Sequence, residues 1–228
     1  MPRPKQGQPG PNLNQAIRAT AWSQIAQNGA SSLSLRAIAR ELNITAPAIY
    51  NYFPSLYDLV TALIVEAFNS FAEAQQSAVD PLDKNEHNQR LSALGKAYRD
   101  WAVTYPERYQ LIFGTPIPGY HAPAEVTGPA AMCGLDVLIN VIEGAWQAGR
   151  LRCAFTLDGE LSAQLEDMKS IHPVQDARVL YLALVVWSRV HGLVSMEISR
   201  QFPPMLVNPE ALYNLELQRI VAEILDGP

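Results

Sequence analysis

The chain is poor in the residues and patterns on which most enzymes and secreted proteins depend. It has two cysteines in 228 residues, Cys133 and Cys153, and no Cys-x-x-Cys spacing. That excludes a disulfide framework and points to a reduced, cytoplasmic protein. No apolar run approaches the ~18 residues needed to cross a bilayer, so no membrane association is expected. The opening stretch holds Arg3 and Lys5 with nothing apolar behind them, and no signal peptide is read there. His87, His121, His172 and His191 show no paired spacing with one another or with the cysteines, so neither a metal nor a cofactor is expected. There is no nucleophile triad and no phosphate-cradling glycine loop. Glu166 and Asp167 are adjacent, which puts them on different faces of a helix. An enzyme working in a helical pocket is therefore the weaker alternative.

Charge is also scarce, at 17% of residues with a net of −5, but it is unevenly spread. Residues 1–60 hold Arg3, Lys5, Arg18, Arg36 and Arg40 against Glu41 and Asp58, a net of +3, and the remainder is −8. A mildly basic head on an acidic body suits a protein that presents one end to phosphates. Hydrophobic residues make up 48%, ample for a core.

What is present is helical almost throughout, and the fold expected is all-α. Residues 1–11, rich in Pro, Gly and Gln, read as a disordered arm. A first helix runs from about Gln15 to Gln27 on Ile17, Ala21 and Ile25, stopping at Asn28-Gly29. Ser34 is placed to cap a short second helix on Leu35, Ile38, Ala39 and Leu42, which Asn43 ends in a left-handed conformation. Thr45 can cap a third, with Pro47 in its first turn, Ile49 and Phe53 inward and Pro54 closing it. Ser55 with Asp58 resembles a capping box opening a fourth helix, Ser55 to Phe71, through Leu59, Leu63 and Phe68. Further helices are expected over Leu91–Tyr105, Pro106–Gly114, Met132–Trp146, Leu161–Lys169, Asp176–Arg200 and Pro209–Leu225. Thr115 to Gly128, with three prolines, reads as a loop.

Two short helices joined by a tight turn and packed on a preceding helix are the physical recipe of a helix-turn-helix. Between Ile44 and Phe53 the outward residues are Thr45, Ala46, Pro47, Ala48, Tyr50, Asn51 and Tyr52, none of them acidic. The segments Leu33-Ser34-Leu35-Arg36-Ala37-Ile38-Ala39, Ile44-Thr45, Ala48-Ile49-Tyr50-Asn51-Tyr52-Phe53-Pro54-Ser55 and Asp58-Leu59 resemble the N-terminal domain of the TetR family, over about Ala16 to Leu63. The resemblance implies a DNA-binding transcriptional regulator, a repressor released from double-stranded, palindromic operator DNA by a small-molecule effector. An architectural DNA binder is the alternative on the same fold. It further implies that Arg36 reaches a base or phosphate, Ala46 and Pro47 lie against thymine methyls, and Tyr50 touches a base or the backbone. Thr45 and Tyr52 would hold phosphates, and Ala48, Asn51 and Ser55 complete the surface. Asn43 stands where relatives usually carry Gly, and Leu56 where they usually carry Lys. On this reading residues 12–56 are the DNA-binding domain and 57–228 the ligand-binding and dimerisation domain.

The segment Tyr105 to Gly114, with Pro116 and Pro118-Gly119-Tyr120, is similar to the effector domain of one branch of the family, marked by the Trp-His-Gly found here as Trp187, His191 and Gly192. Independently, Trp101, Tyr105, Tyr109, Phe113, Met132, Trp146 and Trp187 are candidates to line an apolar cavity, and equally candidates for packed core. His191 lies four residues after Trp187, on the same helix face. It reads either as a buried histidine bonded to a backbone carbonyl or as a polar handle for the ligand, the first being preferred. The last two long helices are apolar over a wide arc. Val186, Val190 and Val194 on one and Leu217, Val221 and Ile224 on the other are expected at a homodimer interface built as a four-helix bundle.

Overall fold

A computed structural model describes residues 13–152 and 155–225. The expected arm, with Arg3 and Lys5, and Cys153 lie outside them. Ten α-helices are present among the described residues: α1 Leu13–Asn28, α2 Leu35–Glu41, α3 Ala46–Tyr50, α4 Leu56–Val79, α5 His87–Thr104, α6 Pro106–Phe113, α7 Ala124–Gln147, α8 Gly159–Met168, α9 Ala177–Ile198 and α10 Pro209–Ile224. An isolated antiparallel bridge joins Leu151 to Leu225.

The helix ends show why the chain breaks where it does. After α2, Asn43 takes a φ of 53°. The Ile44 N–H then bonds the Ala39 carbonyl at 3.0 Å and the Asn43 N–H bonds Arg40 at 3.2 Å. These are the paired bonds of a Schellman motif, which satisfy carbonyls a helix end leaves orphaned. Asn is among the few residues that enter the left-handed region readily, so the turn forms without glycine. The same motif ends α7, with Gly149 at φ 67°, the Gly149 N–H on Trp146 and the Arg150 N–H on Ala145, both at 2.9 Å. Asp176 caps α9 by accepting from the Arg178 N–H. Ser34 and Thr45 occupy the cap positions expected of them, but their side chains make no cap bond.

Three expectations need correcting. Helix α4 runs on to Val79, because nothing between Phe71 and Pro81 breaks it. Its buried stripe is Leu59, Leu63, Ala67 and Phe71, a four-residue step that leaves Phe68 partly exposed. Helix α7 begins at Ala124, inside the expected loop, and contains Pro129. Glu125, whose carbonyl that proline cannot pair, is solvent-exposed. Finally, α7 and α9, of 24 and 22 residues, are long and apolar enough to cross a membrane by length and composition. A core helix passes the same test, and on α9 Val179, Val186, Val190 and Val194 are buried inside the chain.

The chain divides into two compact units that do not follow the expected boundary at residue 56. One comprises residues up to Ala67 together with Pro106–Thr127, the other Phe68–Tyr105 with Gly128 onward. In the first, Ile17, Ala21 and Ile25 of α1, Ile38 of α2, Ile49 of α3 and Leu59 and Leu63 of α4 form the core, each at most 5% exposed. Helix α6 joins this unit through polar contacts described below.

In the second unit, α5, α9 and α10 are clamped together. The Cβ that Gly95 lacks would stand 2.5 Å from Leu217 Cδ1, so a larger residue there would have to displace that side chain. The Tyr213 hydroxyl donates to the Gly95 carbonyl at 2.6 Å. Arg99 grips Glu197 in a two-pronged ion pair at 2.8 and 2.6 Å, with Glu210 at 3.6 Å. The six residues expected at a dimer interface are part of this interior. Val186, Val190, Val194, Leu217, Val221 and Ile224 are all at most 8% exposed within the one chain. The apolar arc is wide because it packs on the chain's own helices, so in this fold these side chains are not open to a second copy.

Candidate functional site

In α3, one buried side chain sets the display of all the others. Ile49 is fully buried and Phe53, just beyond the helix, is 4% exposed. Anchored on those two, α3 turns Thr45, Pro47, Tyr50, Asn51 and Tyr52 to solvent, with Ala46 and Ala48 half-buried between them. Tyr50 and Tyr52 are 46% and 43% exposed, which leaves both rings open to a partner. Arg36 and Arg40 are exposed on α2. Helix α3 carries no acid, and Glu41 at the end of α2 is tied to Gln24 at 2.9 Å. A surface of hydroxyls, small methyl-bearing residues and two guanidiniums suits both base edges and phosphate oxygens.

Ser55 differs from its neighbours. Its hydroxyl donates to Asp58 at 2.7 Å and accepts the Asp58 N–H at 3.2 Å, while its own N–H donates to the same carboxylate at 2.8 Å. This is the capping box expected, and it occupies the hydroxyl beside a carboxylate. Arg40 was not among the expected contacts; its exposure in the last turn of α2, one turn past Arg36, is the signal that finds it.

The eight residues proposed to line a cavity fall into separate environments. Within the second unit a chain of rings runs through Phe71, which packs edge-on against Tyr98 at 4.9 Å and tilted against Trp101 at 5.1 Å. Tyr105 continues it at 6.0 Å from Trp101. The Trp101 indole N–H donates to Ser70 at 3.0 Å. His191 joins through Nδ1, 2.8 Å from the Tyr98 hydroxyl, and through Nε2, 3.3 Å from Ser195 Oγ, with the Trp187 ring 5.0 Å away. Two hydroxyls, those of Tyr98 and Ser195, are thus among the partners of His191. Burial pushes its pKa below the ordinary imidazole value. Phe71 and Tyr98 are members of this group that were not among the residues expected at the cavity.

Trp146 stands apart from this group. Met132 and Trp146 are 14 residues apart on α7, about 21 Å at the helical rise, too far to line one compact cavity. The Arg178 guanidinium lies over the Trp146 ring at 4.6 Å. These two residues, with Gly149 and Leu151, line a small cavity of about 250 Å³. Tyr109 and Phe113 pack tilted against each other at 5.1 Å in α6, in the first unit. Met132 is half-buried on α7.

A short helix displayed behind a tight turn, braced by a second and backed by a third, defines a helix-turn-helix DNA-binding protein, here joined to a larger helical unit. Comparison with known proteins agrees over both parts. Residues 17–63 match the model of bacterial regulatory proteins of the tetR family, and residues 91–220 match the tetracyclin repressor-like C-terminal domain. The chain is 31% identical over 206 residues to the HTH-type transcriptional regulator Rv1816 of Mycobacterium tuberculosis, covering 89% of this chain and 88% of that one. The match to the regulator Mb1846 of Mycobacterium bovis has the same extent and identity. Among solved structures, the regulatory protein SCO4313 superimposes with a TM-score of 0.75 at 36% identity, covering 91% of this chain and 94% of that one. The chain belongs to the TetR family of transcriptional regulators.

Proposed function

We propose that the protein is a repressor that binds a palindromic operator as a homodimer in the cytoplasm and is released by a small, largely apolar effector. The observation that carries the DNA half is the acid-free surface from Thr45 to Tyr52, held out by buried Ile49 and Phe53. Two such surfaces on a two-fold axis fit half-sites about 34–36 Å apart. Because Val186, Val190, Val194, Leu217, Val221 and Ile224 are internal, the dimer uses the outward faces of α9 and α10. Met196 and Leu215 are exposed there, and Met205 and Val207 in the connecting loop are 84% and 89% exposed.

The effector reading rests on the ring chain of Phe71, Tyr98 and Trp101 with its His191 and Ser195 handles, in keeping with the Trp-His-Gly resemblance. A histidine held neutral by burial cannot offset a strongly charged ligand, so an apolar molecule with one or two hydrogen-bonding groups is favoured. A ligand shifts the equilibrium only if it prefers the non-binding state. The test is to titrate apolar aromatic compounds and small anions against the protein–operator complex, following tryptophan fluorescence and DNA release. Release by apolar compounds, weakened in Trp101→Ala, is the expected result. Release by small anions alone, indifferent to Trp101→Ala, contradicts the effector assignment.

A further inference from the structure

Helix α3 has five residues, too few to hold its own conformation or direction in water, so its placement is set by what its ends pack against. At its C-terminal end is Phe53, and over the Phe53 ring, 5.8 Å from its centroid, lies the Arg18 guanidinium. Arg18 in turn reaches Glu66 of α4 at 3.4 Å. The Glu66 carboxylate also accepts the Trp22 indole N–H at 2.9 Å and stands 3.9 Å from Arg108 of α6, which lies over the Trp22 ring at 5.0 Å. All five residues belong to the same compact unit. One carboxylate therefore meets two cations: one bears on the end of the reading helix, the other belongs to a helix some forty residues further along the chain.

We infer that Glu66 is a positioning residue for DNA recognition. It couples α6 to α3, so that the seating of α6 sets the direction in which Tyr50 and its neighbours are presented. The contacts divide into two kinds. The indole bond is directional and needs only an acceptor oxygen, which an amide also supplies. The attraction for Arg18 and Arg108 needs the charge. At side-chain exposures of 30% for Glu66, 34% for Arg18 and 21% for Arg108, the ion pairs are neither fully screened nor sealed from water. They suit a joint that holds α6 without fixing it irreversibly. Removing the charge leaves Arg18 over Phe53 and Arg108 over Trp22 but takes away the carboxylate charge that links the two cations. The inference rests on α3 being the DNA-reading helix, and Tyr50→Ala tests that separately.

The experiment measures affinity for operator and for random duplex DNA at matched salt, for the full chain and for Glu66→Gln, Arg108→Gln and the double variant. Circular dichroism at the assay temperature establishes that each is folded. Glu66→Gln keeps an acceptor for Trp22; Arg108→Gln leaves the Trp22–Glu66 bond untouched if the first variant folds poorly. Each single change should weaken operator binding about five- to tenfold, leaving random-DNA affinity and the salt slope unaltered because no phosphate contact is lost. The double variant should be no worse than either single one, as two parts of one connection. Operator affinity unchanged in both variants, a parallel fall for operator and random DNA, or additive effects would each overturn the inference. If Tyr50→Ala lowers operator affinity and Glu66→Gln does not, the positioning role fails and the assignment of α3 stands.

Discussion

The two units keep their chemically expressive residues in opposite places. In the first, the rings on the proposed DNA-facing side are outside: Tyr50 and Tyr52 are exposed, over a core of aliphatic side chains with Trp22, Phe53 and Tyr109. In the second, Tyr98 and Trp101 are inside, along with Arg99, which is 9% exposed. The exposed surface is cheap to keep, since replacing a side chain there changes recognition and leaves the fold alone. The interior is not. Any substitution near Tyr98 or Arg99 alters packing and, on the effector reading proposed above, function with it.

That contrast is broken most severely on α9. Val194 is fully buried, and an aspartate there leaves a charge with no partner, at several kcal/mol. Val194→Asp should therefore lose the cooperative thermal transition of the second unit. A folded monomer with an unchanged melting temperature, seen by sedimentation and circular dichroism, would instead return this face of α9 to the dimer interface.

A smaller effect separates the units by pH. Burial lowers the pKa of His191, and burial followed by Arg150 and Arg90 lowers that of His87; both lie in the second unit. A base whose pKa is depressed on folding binds protons more readily when unfolded. Stability is then complete above the ordinary imidazole value of about 6.5 and declines as pH falls through it toward the folded values. Thermal melts between pH 7.5 and 5 should show this decline, reduced in His191→Gln. A decline of the same size in that variant would remove His191 from the cause.

How much of this was legible in the sequence follows the same division. The helix-turn-helix could be read because its signals are local: Asn43 at the turn, Ser55 and Asp58 in a capping box, Ile49 and Phe53 in step. The placement of α6 was not legible, because Trp22, Glu66 and Arg108 come together only in three dimensions. Val190 and Leu217 were read as interface since an apolar arc looks alike whether its partner is another subunit or another helix. Phe71 and Tyr98 were not singled out from the sequence, because it is their contacts with Trp101 and His191, formed between helices, that distinguish them.

The central claim, that the face of α3 reads DNA sequence, is tested most directly by the ratio of operator to random-DNA affinity in the full chain and in Tyr50→Ala. Tyr50 is 46% exposed, so the variant should fold normally. Its operator affinity should fall by about 1–3 kcal/mol, with random-DNA affinity at the same salt nearly unchanged. Equal affinity of the unaltered protein for operator and random DNA, or a Tyr50→Ala variant that discriminates as well as the parent, would contradict it.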